Sequence, residues 1–252
     1  VFALTHNYTG HPLVRHARQL FSSGEMGKIR KVLVEYLQDF LMVPHEKLGQ
    51  KQAAWRVDPK QSGIGGTLGD VGTHCINLLE YVTGDPVTEI CADKSTFLPD
   101  RKLDEDVNAL LRFKGGGKGV LSISQVSTGE DNGLTLRVYA ENGALLWNQE
   151  EPNKLQFYQY GKPRQILRRG HAYLSDLAKD STRIPPGHPE GFIEACTKKE
   201  DITPSRLSSF NGSFFSLAMC LAFTLESLIF FNSLLATVRF ALTESIAITL
   251  PL

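Results

Sequence analysis

Residues 134–149 read LTLRVYAENGALLWNQ, and this segment predicts a β-hairpin. Apolar residues alternate with others over Leu134–Ala140, as they do in a strand that buries one face. Asn142-Gly143 follows, a pair that favours a type I′ turn because both central residues of that turn need positive φ. A second strand is predicted over Ala144–Gln149, antiparallel to the first.

The two-residue period extends to both sides of this hairpin. Lys28–Phe40 is rich in β-forming residues, and short glycine-containing connections between the later strands favour antiparallel pairing. The other predicted strands are Val87–Phe97, Asp106–Phe113, Lys118–Ser127, Leu155–Tyr160 and Arg164–Arg168. Helical spacing predicts helices over Pro12–Ser23 and Gly69–Thr83, with a long loop containing at most one short helix between 41 and 65. We therefore expect an α+β fold: a large, open-faced, mainly antiparallel sheet with helices on one face.

Composition excludes several functional classes. Lysine plus arginine is 27 and aspartate plus glutamate is 27, so the net charge gives no reason to expect a nucleic-acid or anionic-membrane partner. The 4 cysteines form no CxxC pair, so we expect no zinc or other metal site and no disulfide scaffold. A reducing, cytoplasmic compartment fits this cysteine usage best.

A glycine-rich loop spans Gly63-Ile-Gly-Gly-Thr-Leu-Gly69. It follows the loop residues 58–62 rather than a strand, and its GxGxxxG spacing is one residue longer than the dinucleotide fingerprint. A phosphate cradle is therefore the less favoured interpretation. The favoured interpretation is a flexible loop, with Gly65 and Gly66 among its glycines, that lets the backbone approach another group closely.

Asp70 and His74 are the sharpest chemical feature. At positions i and i+4 of a helix they share one face, where a carboxylate can orient an imidazole and stabilise its protonated form. The alternatives are a capping role for Asp70 and a half-buried structural role for His74. Zinc binding by these two residues with Cys75 is disfavoured, because neighbouring helix positions point in different directions.

Four further residues are candidates for contact with a ligand. Trp55 and Arg56 precede the glycines, and the arginine could hold a carboxylate, a phosphate or a sugar hydroxyl, or form a surface ion pair with Asp58. His188 could line the same cleft or cap a helix. Tyr8 follows a strand end that could face a cleft.

Five motifs occur along the chain in a fixed order. They are His6-Asn7-Tyr8-Thr9-Gly10, Gly24-Glu25-Met26-Gly27-Lys28-Ile29, Trp55-Arg56-x-Asp58-Pro59, Ser62-Gly63-x-Gly65-Gly66-x-x-Gly69-Asp70-x-Gly72-x-His74, and Gly187-His188-Pro189-Glu190-Gly191-Phe192. Together they resemble the Gfo/Idh/MocA family of oxidoreductases over about residues 1–195.

The resemblance implies a fold and a chemistry. Complete members have an N-terminal Rossmann domain for NAD(H) or NADP(H), and a C-terminal α+β domain whose open sheet completes the active site and commonly forms the oligomer interface. By position, His74 would be the general acid–base on the substrate hydroxyl, and Asp70 would orient it or contact the substrate. Tyr8 and Arg56 would lie near cofactor or substrate, and Gly65 and Gly66 match the glycines before the helix.

The sequence also departs from the family pattern. A Rossmann fingerprint and the Glu-Lys-Pro motif are missing, and Asn77 stands where members often have aspartate. Since the chain begins at Val1 in the middle of an apolar run, we expect a fragment whose cofactor-binding part lies upstream. NAD or NADP would then be bound mainly outside this chain.

Residues 196–252 form an atypical apolar tail. Only Arg206, Glu226, Arg239 and Glu244 are charged after residue 205, so we expect a frameshifted or misjoined segment that packs poorly. The uncharged run 207–225 is long enough for a membrane span, although its serines weaken that alternative.

We therefore expect residues 1–195 to be the substrate-binding and oligomerisation domain of a nicotinamide-dependent oxidoreductase acting on a sugar or cyclitol, inactive as a fragment. It would form a homo-oligomer through the open sheet. The alternative is a non-catalytic binding or assembly module built on the same sheet.

Overall fold

The computed structural model describes residues 6–196 and the backbone of Ser245–Thr249. Its strands form one sheet in the order β8-β7-β6-β5-β1-β4-β3-β2-β9. The strands are β1 (Ile29–Leu37), β2 (Val87–Ser95), β3 (Asp106–Phe113), β4 (Lys118–Ser124), β5 (Gly133–Ala140), β6 (Gly143–Asn148), β7 (Lys154–Gln159), β8 (Gln165–Arg168) and β9 (Ser245–Thr249). All neighbours are antiparallel except β1 and β4, which run parallel. The predicted α+β fold and mainly antiparallel sheet are confirmed.

The hairpin of β5 and β6 forms as predicted, but not through a type I′ turn. Neither Asn142 nor Gly143 has positive φ, and the last pair of the ladder is Tyr139 with Ala144. Glycine is required at 143 for a different reason, since a Cβ there would lie 2.3 Å from the carbonyl oxygen of Tyr158 in the next strand.

The inner face of the sheet carries the core. The helices are α1 (Pro12–Ser22), α2 (Lys51–Arg56), α3 (Pro59–Ser62), α4 (Thr73–Thr83), α5 (Asp176–Lys179) and α6 (Phe192–Cys196). Val32, Val34 and Tyr36 of β1 are buried in one cluster with residues of α1 and α4. The opposite face has no helix over it among the described residues, and Leu110 there is 63% exposed.

Two predicted segments differ from the structure. The predicted loop 41–65 holds α2, α3 and a 3₁₀ turn at His45–Leu48, so it contains more than one short helix. The helix predicted from Gly69 begins instead as a π-helical turn at Leu68–Gly72, and α4 proper starts at Thr73. Gly84 ends α4 in the left-handed conformation, as its position predicts.

Of the predicted tail, the described part after Cys196 is the backbone of β9, which pairs antiparallel with β2. The uncharged run 207–225 lies outside the described residues. Within residues 6–196 and 245–249, no helix is long and apolar enough to cross a membrane.

Candidate active site

His74 lies in the first turn of α4, where that helix passes the end of β1. Its ring packs edge-on against Tyr8, with ring centroids 5.1 Å apart, and against Tyr36 at 6.3 Å. The Nδ1 atoms of His74 and His6 are 3.4 Å apart. The 3₁₀ turn Asn7–Gly10, which packs against α4, positions Tyr8. A half-buried imidazole therefore lies among aromatic rings.

Burial keeps this imidazole neutral. The pKa of His74 is lowered from 6.5 to about 4, mainly by desolvation and also by the neighbouring His6, while the Asp70 carboxylate acts in the opposite direction. At neutral pH the side chain is uncharged, so one ring nitrogen has a lone pair that can accept a proton. The sequence analysis singled out this residue, and the structure gives it the protonation state of a base.

Asp70 is held by side chains other than His74. Its Oδ2 accepts hydrogen bonds from Arg56 Nε and from Gln125 Nε2, both at 2.9 Å. Among the described residues it makes no hydrogen bond to His74, and Oδ1 accepts none. Its side chain caps neither the π-helical turn nor α4, so the predicted capping alternative is wrong. Asp70 thus reaches His74 through its charge and keeps one oxygen available.

Arg56 turns towards Asp70 rather than Asp58. The ion pair with Asp70 leaves 24% of the arginine and 29% of the aspartate side chain exposed. Asp58 instead accepts a hydrogen bond from Lys60 N at the start of α3, so the predicted surface pair of Arg56 with Asp58 is wrong. The guanidinium also stacks over the indole of Trp55, 4.3 Å from its centroid.

A row of polar side chains connects Asp70 to the aromatic rings. Gln125 Nε2 lies 3.2 Å from Gln38 Oε1, and Gln38 Nε2 donates to Asn132 Oδ1 at 2.9 Å. Tyr36 Oη donates to the same Asn132 oxygen at 2.7 Å, and Tyr8 Oη lies 2.5 Å from Tyr36 Oη. Burial is the main reason that the pKa of Tyr36 is raised far above its usual value.

Sequence reasoning missed this row. Gln38 and Gln125 directly follow β1 and β4, which lie side by side in parallel, and Asn132 precedes β5 on the other side of β1. The available signal was the appearance of amide side chains at the ends of strands that otherwise bury apolar residues. Nothing in the sequence shows that these strand ends are neighbours.

Asp104 holds the backbone of the glycine-rich loop at Gly66. Asp104 Oδ1 accepts the Gly66 N–H at 2.9 Å, and its Oδ2 accepts the Leu68 N–H at 2.7 Å. A Cβ on Gly66 would lie 2.4 Å from the Asp104 carbonyl oxygen. The close approach predicted for these glycines is confirmed at Gly66, and its partner is the protein's own chain. The Gly66, Thr67 and Leu68 N–H groups are therefore bonded to Asp104 and are not available to a phosphate.

His188 lies apart from this group, in an exposed turn before α6. Its carbonyl oxygen accepts a hydrogen bond from Arg169, a buried side chain that also binds the carbonyl oxygens of Ile184 and Pro185. The structure thus brings together Tyr8, Arg56, Asp70 and His74, and gives His188 no contact with them. No cluster of metal-ligating side chains occurs within residues 6–196.

The chain is similar to a known sequence family and to several solved structures. Residues 14–146 match the sequence family described as the GFO/IDH/MocA C-terminal domain. Crystal structures of an inositol dehydrogenase homolog from Azotobacter vinelandii, with NAD⁺ and with NADH and myo-inositol, align with TM-scores of 0.71 and 0.68. They are 37% and 35% identical to this chain and cover 76% of it, against 49% and 48% of their own chains.

Curated relatives show the same partial coverage. The uncharacterized oxidoreductase YfiI of Bacillus subtilis is 28% identical over 77% of this chain and 50% of its own length. Levoglucosan dehydrogenase of Pseudarthrobacter phenanthrenivorans is 26% identical over 62% of this chain and 44% of its own length. The chain therefore spans about half the length of the relatives that it matches.

Proposed function

The chain belongs to the Gfo/Idh/MocA oxidoreductase family, and from this premise we propose that it is the substrate domain of a nicotinamide-dependent dehydrogenase acting on a sugar or cyclitol. The observation that carries the proposal is the neutral His74 imidazole next to the row of amide, hydroxyl and carboxylate groups that ends at Asp70. Such a row matches a ligand with several hydroxyl groups, because each hydroxyl both donates and accepts. One related structure, of the inositol dehydrogenase homolog from Azotobacter vinelandii, contains myo-inositol.

The side chains divide the work on the substrate. A lone pair of His74 accepts the hydroxyl proton as the substrate becomes a carbonyl compound, and the Asp70 charge stabilises the imidazolium that results. Asp70 Oδ1 and the amides of Gln38 and Asn132 hold other hydroxyls. Arg56 fixes Asp70 through Nε. NAD or NADP supplies the hydride acceptor when it is bound.

We place the cofactor's phosphates outside this chain, since the chain matches only about half the length of its relatives and Asp104 takes the Gly66 and Leu68 N–H groups of the glycine loop. The 252-residue chain is then inactive by itself. Titration of the chain with NADH should produce no saturable rise in nicotinamide fluorescence. Saturable binding at micromolar NADH would contradict this part of the proposal.

The test of His74 needs the complete coding sequence, which resequencing well beyond both ends of this chain would define. In the protein encoded there, His74→Ala should keep the fold but lower turnover on the order of 10²–10⁴-fold. His171→Ala is the matched control, because that ring stacks on Tyr173 at the surface. Unchanged turnover of the His74 variant would remove this residue from the mechanism.

A second part of the proposal concerns self-association through the open sheet face. Leu33, Val120 and Leu110 lie side by side there on adjacent strands, and Leu110 is largely exposed. This apolar stripe supports an interface there, because exposed apolar patches favour protein–protein contact. Sedimentation of the chain should show an oligomer, and Leu110→Glu should shift it towards the monomer. A monomeric wild-type chain would contradict the proposal.

Self-association without turnover defines the alternative function, a non-catalytic assembly module. It would be supported if the complete protein binds no nicotinamide cofactor yet forms the oligomer, with His74→Ala altering neither property.

A further inference from the structure

The hydrogen-bond partner of His74 is another histidine. Its Nδ1 atom faces Nδ1 of His6 at 3.4 Å, and the two rings are nearly perpendicular with centroids 5.1 Å apart. His74 makes no other hydrogen bond within the described part of the chain. We infer that His6, and not Asp70, is the positioning residue that fixes the tautomer and orientation of His74. The catalytic meaning of this inference rests on the proposed function, whereas the tautomer itself can be measured without any reaction.

The chemistry of the pair allows two arrangements. If His74 donates its Nδ1–H to His6, its Nε2 carries the lone pair and can accept a proton from a substrate hydroxyl. If His6 donates, Nε2 of His74 is protonated and cannot act as a base. The hydrogen bond made by one ring nitrogen determines the protonation of the other, so the proposed chemistry requires His6 Nδ1 to be the acceptor.

The tyrosines beside His74 cannot take this role. Tyr36 donates its hydroxyl proton to Asn132 Oδ1. The short contact between Tyr8 and Tyr36 then requires Tyr8 to donate to the Tyr36 oxygen. Both hydroxyl protons are therefore committed to the polar row, and neither ring presents an oxygen within hydrogen-bond distance of His74.

Asp70 is excluded by its own partners. Oδ2 accepts from Arg56 and from Gln125, and within the described part of the chain neither carboxylate oxygen makes a hydrogen bond to the imidazole. Its negative charge still favours the protonated form of His74, while His6 opposes it. The carboxylate therefore tunes the basicity of His74, and His6 selects which nitrogen is basic.

The chain places His6 and Tyr8 with one local device. The His6 carbonyl oxygen accepts a hydrogen bond from Thr9 Oγ1 at 2.9 Å, and His6 directly precedes the 3₁₀ turn that carries Tyr8. Both side chains are thereby delivered to the same end of α4. This arrangement accounts for an imidazole partner at a position where a carboxylate would be expected.

The tautomer can be read by ¹⁵N NMR of histidine-labelled chain at pH 7. The chain has 7 histidines, and loss of one signal set in His74→Gln assigns His74. We expect His74 in the Nδ1–H form in the wild-type chain. The Nε2–H form there would overturn the inference directly, whatever any variant does.

Two variants sharpen the measurement. In His6→Leu, which removes the acceptor, the Nδ1–H form of His74 should no longer predominate. In His6→Gln, an amide oxygen can accept the same hydrogen bond and should preserve the Nδ1–H form. Unchanged amide spectra establish that both variants fold, and an Nδ1–H form that survives in His6→Leu would also overturn the inference.

Activity of the complete protein separates this inference from the proposed function. His6→Leu should lower kcat about tenfold or more with little change in KM, and His6→Gln should recover most of it. If His74→Ala leaves turnover intact, the proposed function fails while the NMR result for the pair still stands. If turnover depends on His74 but not on His6, the positioning role fails alone.

Discussion

Two arginine–carboxylate groups in this molecule have opposite characters. Arg101 is 3% exposed and binds both oxygens of Glu46 and one oxygen of Glu105. The other Glu105 oxygen accepts the backbone N–H groups of Phe97 and Leu98. The Arg56 pair is several times more exposed, and Asp70 keeps one oxygen without a partner among the described residues.

The difference separates a group satisfied within the fold from one that is partly open to solvent. A buried charge is tolerated when every donor and acceptor around it is satisfied, and the Arg101 group meets that condition by joining the loop at Glu46 to the loop before β3. A half-open pair contributes little to folding but retains hydrogen-bonding capacity for a ligand. The two groups contain the same residue types and differ in whether every charged atom has a partner within the protein. We call the Arg101 group closed and the Arg56 pair open.

The largest expected effect is on the closed group. Arg101→Ala leaves the buried Glu105 charge and the partly buried Glu46 charge uncompensated and should lower the free energy of unfolding by about 3–5 kcal/mol. Urea denaturation of the chain measures this. Arg30→Ala removes an exposed pair with Glu141 and should change stability by less than about 0.5 kcal/mol. Equal effects of the two variants would contradict the comparison.

The buried imidazole of His11, which has a ring nitrogen without a hydrogen-bond partner among the described residues, should make the stability of the fold depend on pH. His11 packs between Tyr8 and Trp147 with Nε2 unpartnered, and burial lowers its pKa from 6.5 to about 4. Because the unfolded chain takes up the proton first, stability is complete above pH 6.5 and falls as the pH decreases to about 4. The loss from this residue is about 3 kcal/mol at 1.36 kcal/mol per pKa unit.

His11→Phe tests this assignment, since an apolar ring of similar shape cannot titrate. The variant should resist acid more than the wild-type chain between pH 6.5 and 4, with a constant difference above pH 7. Denaturation midpoints at half-unit pH steps supply the curves. If the stabilities of the variant and the wild-type chain decrease equally between pH 6.5 and 4, another group causes the loss. The pKa of His74 is lowered to the same range, so this residue also destabilises the chain between pH 6.5 and 4. The His11→Phe variant should therefore lose less stability in acid than the wild-type chain, but it should still lose some.

Glycines offer a matched test on the loop that positions Asp70. Gly66→Ala drives a Cβ against the Asp104 backbone and the Leu103 side chain, and should cost about 1–3 kcal/mol as an overpacked site. Gly69→Ala meets nothing within 4 Å and should be neutral or slightly stabilising. Thermal unfolding distinguishes the two. Similar melting temperatures would mean that the loop yields to the added methyl group.

Local patterns in the sequence were enough to predict β1 to β8, whereas β9 lies in the tail that was expected to pack poorly. The period of two locates β5 and β6 because each buries one face, and Asn142-Gly143 marks their connection. The turn type was wrong because the constraint on Gly143 comes from Tyr158 in another strand. Parallel pairing of β1 with β4 was equally invisible, since no local pattern says which strands become neighbours.

Which residues of the candidate site lie next to each other was predictable only where they are close in sequence. Asp70 and His74 stand four positions apart and were found together. The contacts of Gln125 with Asp70, of Asn132 with Tyr36 and of His6 with His74 span 55, 96 and 68 positions. Such contacts depend on the sheet order, which the tertiary packing decides.

The smallest expected effect on stability belongs to the open group. Arg56→Ala removes one hydrogen bond to Asp70, two to Gln52 and the stacking on Trp55, yet the pair is partly solvated. The cost should stay within about 1 kcal/mol, against several for Arg101→Ala.

In the complete protein the same Arg56→Ala change should raise KM, because Asp70 loses the guanidinium that orients it. Arg56→Lys keeps the positive charge but loses the guanidinium Nε–H that bonds to Asp70. It therefore distinguishes an orienting role of Arg56 from a role of its charge alone. If the lysine variant keeps the wild-type KM, the positive charge of Arg56 alone accounts for its effect. If the alanine variant loses several kcal/mol of stability, the Arg56 pair contributes to folding as the Arg101 group does, and the comparison fails.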